Sequence, residues 1–185
     1  MTNLHALPAD LPAPVDDGAC DHLPGQRVPA LRLPGTDGQT YDLSALPGRT
    51  VLYLYPKTGR PDGAVPEGWD QIPGARGCTP QSCAFRDHHA ELQAAGARVF
   101  GLSVQPTAYQ QEAAERLHLP FALLSDADRH WSRALKLPTF EAGGETLLRR
   151  TTLILRGGVV EHVFFPVFPP DRNAADVLAW LAAHS

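Results

Sequence analysis

Two of the chain's three cysteines, Cys78 and Cys83, stand five residues apart in the stretch Gly-Ala-Arg-Gly-Cys-Thr-Pro-Gln-Ser-Cys-Ala-Phe-Arg-Asp, residues 74–87. Thiolate is the reactive form of cysteine, so the first question is what could hold one as an anion. Thr79 is a good N-cap and Pro80 suits a first helical position, which predicts a helix starting just after Cys78. The unpaired N–H groups and positive end of that helix would lie beside the Cys78 sulfur, and Arg76 is two residues away. Both favour an anion. Cys83 falls inside the same helix. Five residues along an ideal helix turn through about 500° and rise about 7.5 Å. A disulfide requires Cα atoms within roughly 7 Å. The pair therefore cannot join while the helix is intact, and can join once its first turn unwinds. That suits a cycle: Cys78 is oxidised to a sulfenic acid, the turn melts, and Cys83 condenses with it to a disulfide. An external thiol system then reduces the pair.

Other readings of these residues stay open. Two cysteines near a helix can be small apolar packing groups. A metal site is weaker, because the spacing is not Cys-x₂-Cys and no second Cys/His pair sits at ligand spacing. His88 and His89 point to neighbouring sides of a helix and read as solvated or half-buried side chains. Cys20 reads as incidental, with an intermolecular disulfide or a regulatory thiol as the sharper alternative.

The elements that must position the pair follow from pattern. The 185 residues fit one domain with some extra, and 43% apolar and 19% charged residues are ordinary for a globular protein. The net charge is −4 and the basic residues are scattered, which argues against nucleic acid as a partner. No signal peptide and no membrane-spanning apolar run is visible. The expected compartment is the cytoplasm, where structural disulfides are rare and a close cysteine pair reads as catalytic, redox-sensing or metal-binding.

Residues 1–24 are Pro-punctuated and read as an extended arm, either a loose tail or a strap across a domain that fills residues 25–185. Leu31 and Leu33 with Thr40–Leu43 read as a hairpin turning at Gly-Thr-Asp-Gly. Residues 50–55 (Thr-Val-Leu-Tyr-Leu-Tyr) read as a buried central strand ending at Pro56. Residues 56–77 form a long loop running into the cysteine pair, as a functional wall or lid would. Trp69 would anchor that loop by packing or shape access to Cys78.

A helix from Thr79 to Gly96 would then carry Phe85, His89 and Leu92 on one face. Strands follow at 97–104 and 121–126, with helices after Pro106 and near Trp131. Two further strands, Leu147–Leu155 and Val159–Phe165, turn at Arg156-Gly157-Gly158. A last helix over 171–183 would turn Ala175, Leu178 and Leu181 inward, and Trp131 and Trp180 read as core. Alternating strands and helices closed by a hairpin predict a mixed α/β sheet with helices on both faces.

The segment Gly-Cys-Thr-Pro-Gln-Ser-Cys-Ala-Phe-Arg-Asp resembles the active-site segment of the peroxiredoxin Q, or bacterioferritin comigratory protein, family. The strand ending in Tyr55-Pro56 and the stretch from Arg149 through Phe164 resemble that family's flanking strands, so the resemblance covers about residues 26–183. It implies a thioredoxin-like fold and a thiol peroxidase acting on hydrogen peroxide and organic hydroperoxides. Cys78 would be the peroxidatic cysteine, Cys83 the resolving one in an intrachain disulfide, and thioredoxin or a similar dithiol protein the reductant. Arg150 matches the arginine flanking the thiolate, with Arg149 as the fallback one position away.

No metal, haem or flavin is required, and an intrachain disulfide is compatible with a monomer or weak dimer. The family's loop proline and threonine precede its peroxidatic cysteine by seven and three residues, where this chain has Gln71 and Ala75. Aligning Pro56 with that proline makes most of 56–77 an insertion and Thr58 the candidate for the threonine's role. A thioredoxin-fold disulfide reductase is disfavoured by the Cys-x₄-Cys spacing. A non-enzymatic redox sensor, docking partners through the 56–77 loop, is the third reading.

Overall fold

The computed structural model describes residues 3–185, so the first two residues of the expected arm lie outside the described part. A short hairpin, β1 (Arg32–Pro34) and β2 (Thr40–Asp42), precedes the central strand β3 (Arg49–Leu54). After the long loop come helices α1 (Cys78–Asp87) and α2 (His89–Ala94), strand β4 (Ala97–Ser103) and helix α3 (Thr107–Arg116). Strand β5 (Leu123–Ser125), helix α4 (His130–Ala134) and a hairpin of β6 (Thr139–Ala142) with β7 (Glu145–Leu148) follow. The chain closes with β8 (Thr151–Arg156), β9 (Val159–Phe164) and α5 (Asn173–Ala183). Among the described residues no helix is long and apolar enough to cross a membrane.

The main sheet has the order β5-β4-β3-β8-β9. β3 pairs in parallel with β4 and antiparallel with β8, so the sheet is mixed, as the sequence pattern predicts. β3 is buried from Thr50 through Leu54, which is why it reads as a continuous apolar run rather than an alternating one. Its side chains still divide by pleat. Leu52 and Leu54 join Leu102, Leu153 and Trp131 on one face, under the hairpin, α4 and the segment around Cys20 and Leu23. Val51, Tyr53 and Tyr55 join Phe85, Leu92, Ala113, Val177 and Leu181 on the other, under α1, α2, α3 and α5. Each fully buried large apolar side chain contributes roughly 1.5–3 kcal/mol.

Several expectations are corrected. The helix mouth is two residues earlier than predicted: Gly77, at φ 117°, is the N-cap, and Cys78 is the first helical residue. Pro80 then sits third, still within the first turn, where a missing N–H costs nothing. The single helix to Gly96 is two helices that break at His88. The expected strand Leu147–Leu155 is two strands, with Arg149 and Arg150 between them. The β6–β7 hairpin, turning at Gly143-Gly144, was not anticipated. In α5 the buried face is Ala174, Val177 and Leu181, while Ala175 is exposed and Leu178 half-buried, a one-residue rotation of the expected stripe. Trp131 is fully buried as expected. Trp180 is half-buried, stacked between His162 and His184 with Arg49 over its ring.

The β8–β9 turn is tight. A Cβ at Gly157 (φ 57°) would meet nothing within 4 Å, whereas one at Gly158 (φ 82°) would lie 2.3 Å from the Ser44 carbonyl oxygen. Both alanine variants bear a left-handed backbone worth roughly 1–2 kcal/mol. Gly158→Ala also forces backbone against backbone, adding about 1–3 kcal/mol. Urea unfolding is expected to separate the two variants by that increment; equal losses would remove the Ser44 contact as the constraint.

Candidate active site

The site lies where the α1 N-terminus meets the junction of β7 and β8. Gly77 adopts its positive φ because Leu7 and Pro170 crowd the position: a Cβ there would lie 2.7 Å from Pro170 Cγ and 3.0 Å from Leu7 Cδ2. That turn starts α1 directly behind Cys78, whose residue is only 4% exposed. The Cys78 sulfur is 4.0 Å from the Ala75 carbonyl oxygen and receives Nη2 of Arg150 at 3.3 Å. All three cysteines are free thiols.

Arg150 is itself buried, and each of its three guanidinium nitrogens donates. Nε donates to the Gly74 carbonyl at 3.2 Å, Nη2 to the Ala75 carbonyl at 2.9 Å, and Nη1 to Gln81 Oε1. Gln81 passes the connection on: its Nε2 donates to Asn173 Oδ1 at 3.1 Å, and Thr152 Oγ1 donates to the same oxygen at 2.6 Å. The sulfur, α1, α5 and β8 are thus tied through one arginine. A planar fork that holds several acceptors at once is something lysine cannot supply. Neighbouring Arg149 goes elsewhere, to Asp17 at 2.8 Å and over the Phe165 ring.

Cys83 is half-buried on α1. Burial pushes its thiol pKa up, against an opposing pull from the Arg86 charge. Both cysteines lie in one intact helix, so the spacing keeps them from bonding in this conformation. Beneath α1, Tyr53 bonds Ser82 at 2.9 Å. Burial also raises the Tyr53 and Tyr55 phenols, which stay neutral beside Cys78.

Two candidates stand away from the sulfur. The Thr58 hydroxyl is fully buried and donates to Gln105 Oε1 at 3.2 Å, with the Thr58 N–H on the same oxygen at 3.1 Å. Its neighbours Lys57 and Gly59, not Thr58 itself, line the cavity at Cys78. Arg76, expected to favour the anion from two residues away, instead grips Asp70 with Nη1 at 3.0 and 2.9 Å. Sequence reasoning missed Gln81 and Asn173. The first had a signal, three residues after Cys78 on the same helix; the second, at the start of α5, had none. No cluster of three or more metal-ligating side chains occurs among the described residues.

A redoxin family model matches residues 23–178. The chain belongs to the redoxin family. Within it the relatives are of the peroxiredoxin Q and bacterioferritin comigratory type. The chain is 34% identical over 156 residues to the chloroplastic peroxiredoxin Q of Triticum aestivum, covering 83% of this chain and 64% of that protein. It is 32% identical over 162 residues to the putative peroxiredoxin bcp of Coxiella burnetii, covering 85% and 97%. The matched region thus spans slightly under two thirds of the plant relative's length.

Among solved structures, BcpB of Mycobacterium tuberculosis overlays with a TM-score of 0.71 at 28% identity, over 89% of this chain and 99% of that one. A cysteine-to-serine variant of Xanthomonas campestris peroxiredoxin Q overlays with a TM-score of 0.66 at 25% identity, over 96% and 100%. The mixed sheet flanked by helices is the thioredoxin-like sheet of these peroxiredoxins, as the resemblance implies.

The third thiol of this redoxin, Cys20, is 5% exposed, 4.0 Å from the Thr151 hydroxyl, and burial raises its pKa to about 11. Folded protein treated with limiting iodoacetamide near pH 8 is therefore expected to label Cys20 last, and in urea to label it at an ordinary rate. Peptide mass spectrometry reads both; early labelling of Cys20 in the folded state would contradict its burial.

Proposed function

We propose that this redoxin is a thiol-dependent peroxidase, an atypical two-cysteine peroxiredoxin acting on hydrogen peroxide and organic hydroperoxides. The observation that carries the reading is the Arg150 guanidinium held 3.3 Å from a buried sulfur at a helix N-terminus. A charge-assisted hydrogen bond and the helix N–H groups stabilise a sulfur anion there. The same donors can receive charge developing on a peroxide oxygen.

In the proposed cycle the Cys78 thiolate attacks one oxygen of the peroxide. The S–O bond forms as the O–O bond breaks, and the leaving oxygen takes the bond pair and a solvent proton to depart as water or alcohol. Cys78 is left as sulfenic acid. The first turns of α1 unwind, the Cys83 sulfur displaces the hydroxyl as water, and a Cys78–Cys83 disulfide forms. A dithiol protein such as thioredoxin supplies two electrons and returns both thiols. No step needs a second subunit, so a monomer or weak dimer suffices. Placement in the cytoplasm, where dithiol reductants operate, completes the reading. It draws support from the peroxiredoxin Q relatives and from the free thiols seen here.

Stopped-flow tryptophan fluorescence of reduced protein with hydrogen peroxide tests it. Wild type is expected to oxidise fast and end with a Cys78–Cys83 disulfide. Cys78→Ser should lose the fast phase, and Cys83→Ser should accumulate over-oxidised Cys78. A wild-type rate no faster than an ordinary thiol would sink the reading. Arg150→Lys keeps the charge but loses the fork, and the second-order rate is expected to fall about 10²-fold; an unchanged rate would remove Arg150 from the chemistry.

A further inference from the structure

The Cys78 sulfur opens on a cavity of only about 30 Å³, lined by Leu4, Lys57, Gly59, Ala64, Val65, Pro66, Trp69, Tyr109 and the residues flanking the cysteine. A cavity of this volume takes one or two water-sized groups, the size of hydrogen peroxide's two oxygens. A tertiary alkyl or phenyl substituent has no room in it. Its roof has two parts that are far apart in sequence, the N-terminal arm and the 56–77 loop.

Arg76 joins the two parts. Its Nη2 donates to the carbonyls of Asn3 at 2.8 Å and Ala6 at 3.0 Å, while Nη1 grips the Asp70 carboxylate in the turn beside Trp69. Side-chain packing reinforces the arm: a Cβ on Gly59 would lie 3.2 Å from Leu4 Cδ2. The loop is fixed on its other sides. Arg116 Nη2 donates to the Gly59 carbonyl at 2.9 Å, Lys57 pairs with Glu145 at 2.7 Å, and Trp69 packs on Phe140. The Nε–H of Arg76 is buried and has no acceptor among the described residues. Arg76 lines the cavity together with the two halves it joins.

We propose that Leu4 and Arg76 are specificity-determining residues that close the arm and loop over Cys78 and select small hydroperoxides over bulky ones. The inference rests on the peroxidase reading and adds an order to its substrates. Leu4 fills the space a substituent would need. Arg76 clasps both halves of the roof.

A competing entrance exists. A larger cleft of about 360 Å³ runs past Arg150, walled by Pro14, Val15, Ile72, Phe140 and Phe165. A bulky peroxide entering there would not feel Leu4. The experiment compares second-order rates for cumene hydroperoxide and hydrogen peroxide in wild type, Leu4→Ala, Arg76→Ala and Val15→Ala. The ratio of cumene hydroperoxide to hydrogen peroxide rates is expected to rise about 10-fold or more in the first two variants and to stay at the wild-type value in Val15→Ala. Unchanged ratios in Leu4→Ala and Arg76→Ala, or a shift confined to Val15→Ala, would overturn the proposal.

Should wild type fail to react quickly with hydrogen peroxide, the peroxidase reading fails separately. The roof is still decided by labelling of Cys78 with iodoacetamide against pyrenyl maleimide. The same variants should raise the bulky-to-small labelling ratio, and no rise would overturn it.

Discussion

A buried guanidinium on a buried sulfur is the contact the rest of this site depends on. Arg150 is 4% exposed, and its protein acceptors are the carbonyls of Gly74 and Ala75, the amide oxygen of Gln81 and Cys78 Sγ. The three oxygens satisfy its N–H groups without balancing its charge. A buried ion without an opposite charge is costly, and the sulfur is the one of these four acceptors that can ionise. In the proposed cycle a Cys78 thiolate supplies that opposite charge, and the surrounding oxygens fix the geometry of the contact.

The same hydrogen bonds that build the site resist the motion the proposed cycle requires. Unwinding the start of α1 breaks the Arg150–Gln81 and Gln81–Asn173 bonds and frees Ser82 from Tyr53. Net values of about 0.5–1.5 kcal/mol per bond make this barrier modest but real. In the proposed cycle, oxidation of Cys78 changes the balance in two ways. The sulfenic acid is neutral where the thiolate was charged, so Arg150 loses its counter-ion. The added oxygen also competes for a cavity of about 30 Å³. Both effects weaken the folded turn at the moment when Cys83 is needed, which is how one helix can protect the resolving thiol and then deliver it.

How much of this was legible follows from where the information sits. The central strand and the strand–helix alternation behind the mixed sheet are local patterns, and they read correctly. Arg150 could be placed only through resemblance, because nothing in the stretch Leu147–Leu155 announces that it holds two strands with the arginine at their junction. The β6–β7 hairpin had a signal in Gly143-Gly144 that went unread. The helix start was misjudged by two residues because Thr79-Pro80 is a strong local signal, while the glycine cap at Gly77 stands where Pro170 and Leu7, distant in sequence, leave no room for a side chain. The one-residue rotation of α5 has a similar cause. Its Ala- and Leu-rich sequence offers two nearly equal apolar stripes, and tertiary packing chose between them.

The docked arm is the least legible element and the most consequential. Its main tie, Arg76 to the carbonyls of Asn3 and Ala6, uses backbone acceptors that every residue carries, so no side-chain pattern in residues 3–7 could reveal it. The same holds for the 56–77 loop. Within it the Thr58 hydroxyl is committed to Gln105, and Ala75 stands three residues before Cys78. What remains at that position is a backbone carbonyl, which anchors Arg150 and approaches the sulfur but has no proton to donate. In the proposed cycle a donor for a peroxide oxygen then comes from the helix N–H groups or from Arg150. The 56–77 loop also carries Asp70, which grips Arg76. The buried hydroxyl near the start of this loop and the clasp near its end are thus fixed by one segment, the first turned to Gln105 and the second to the arm.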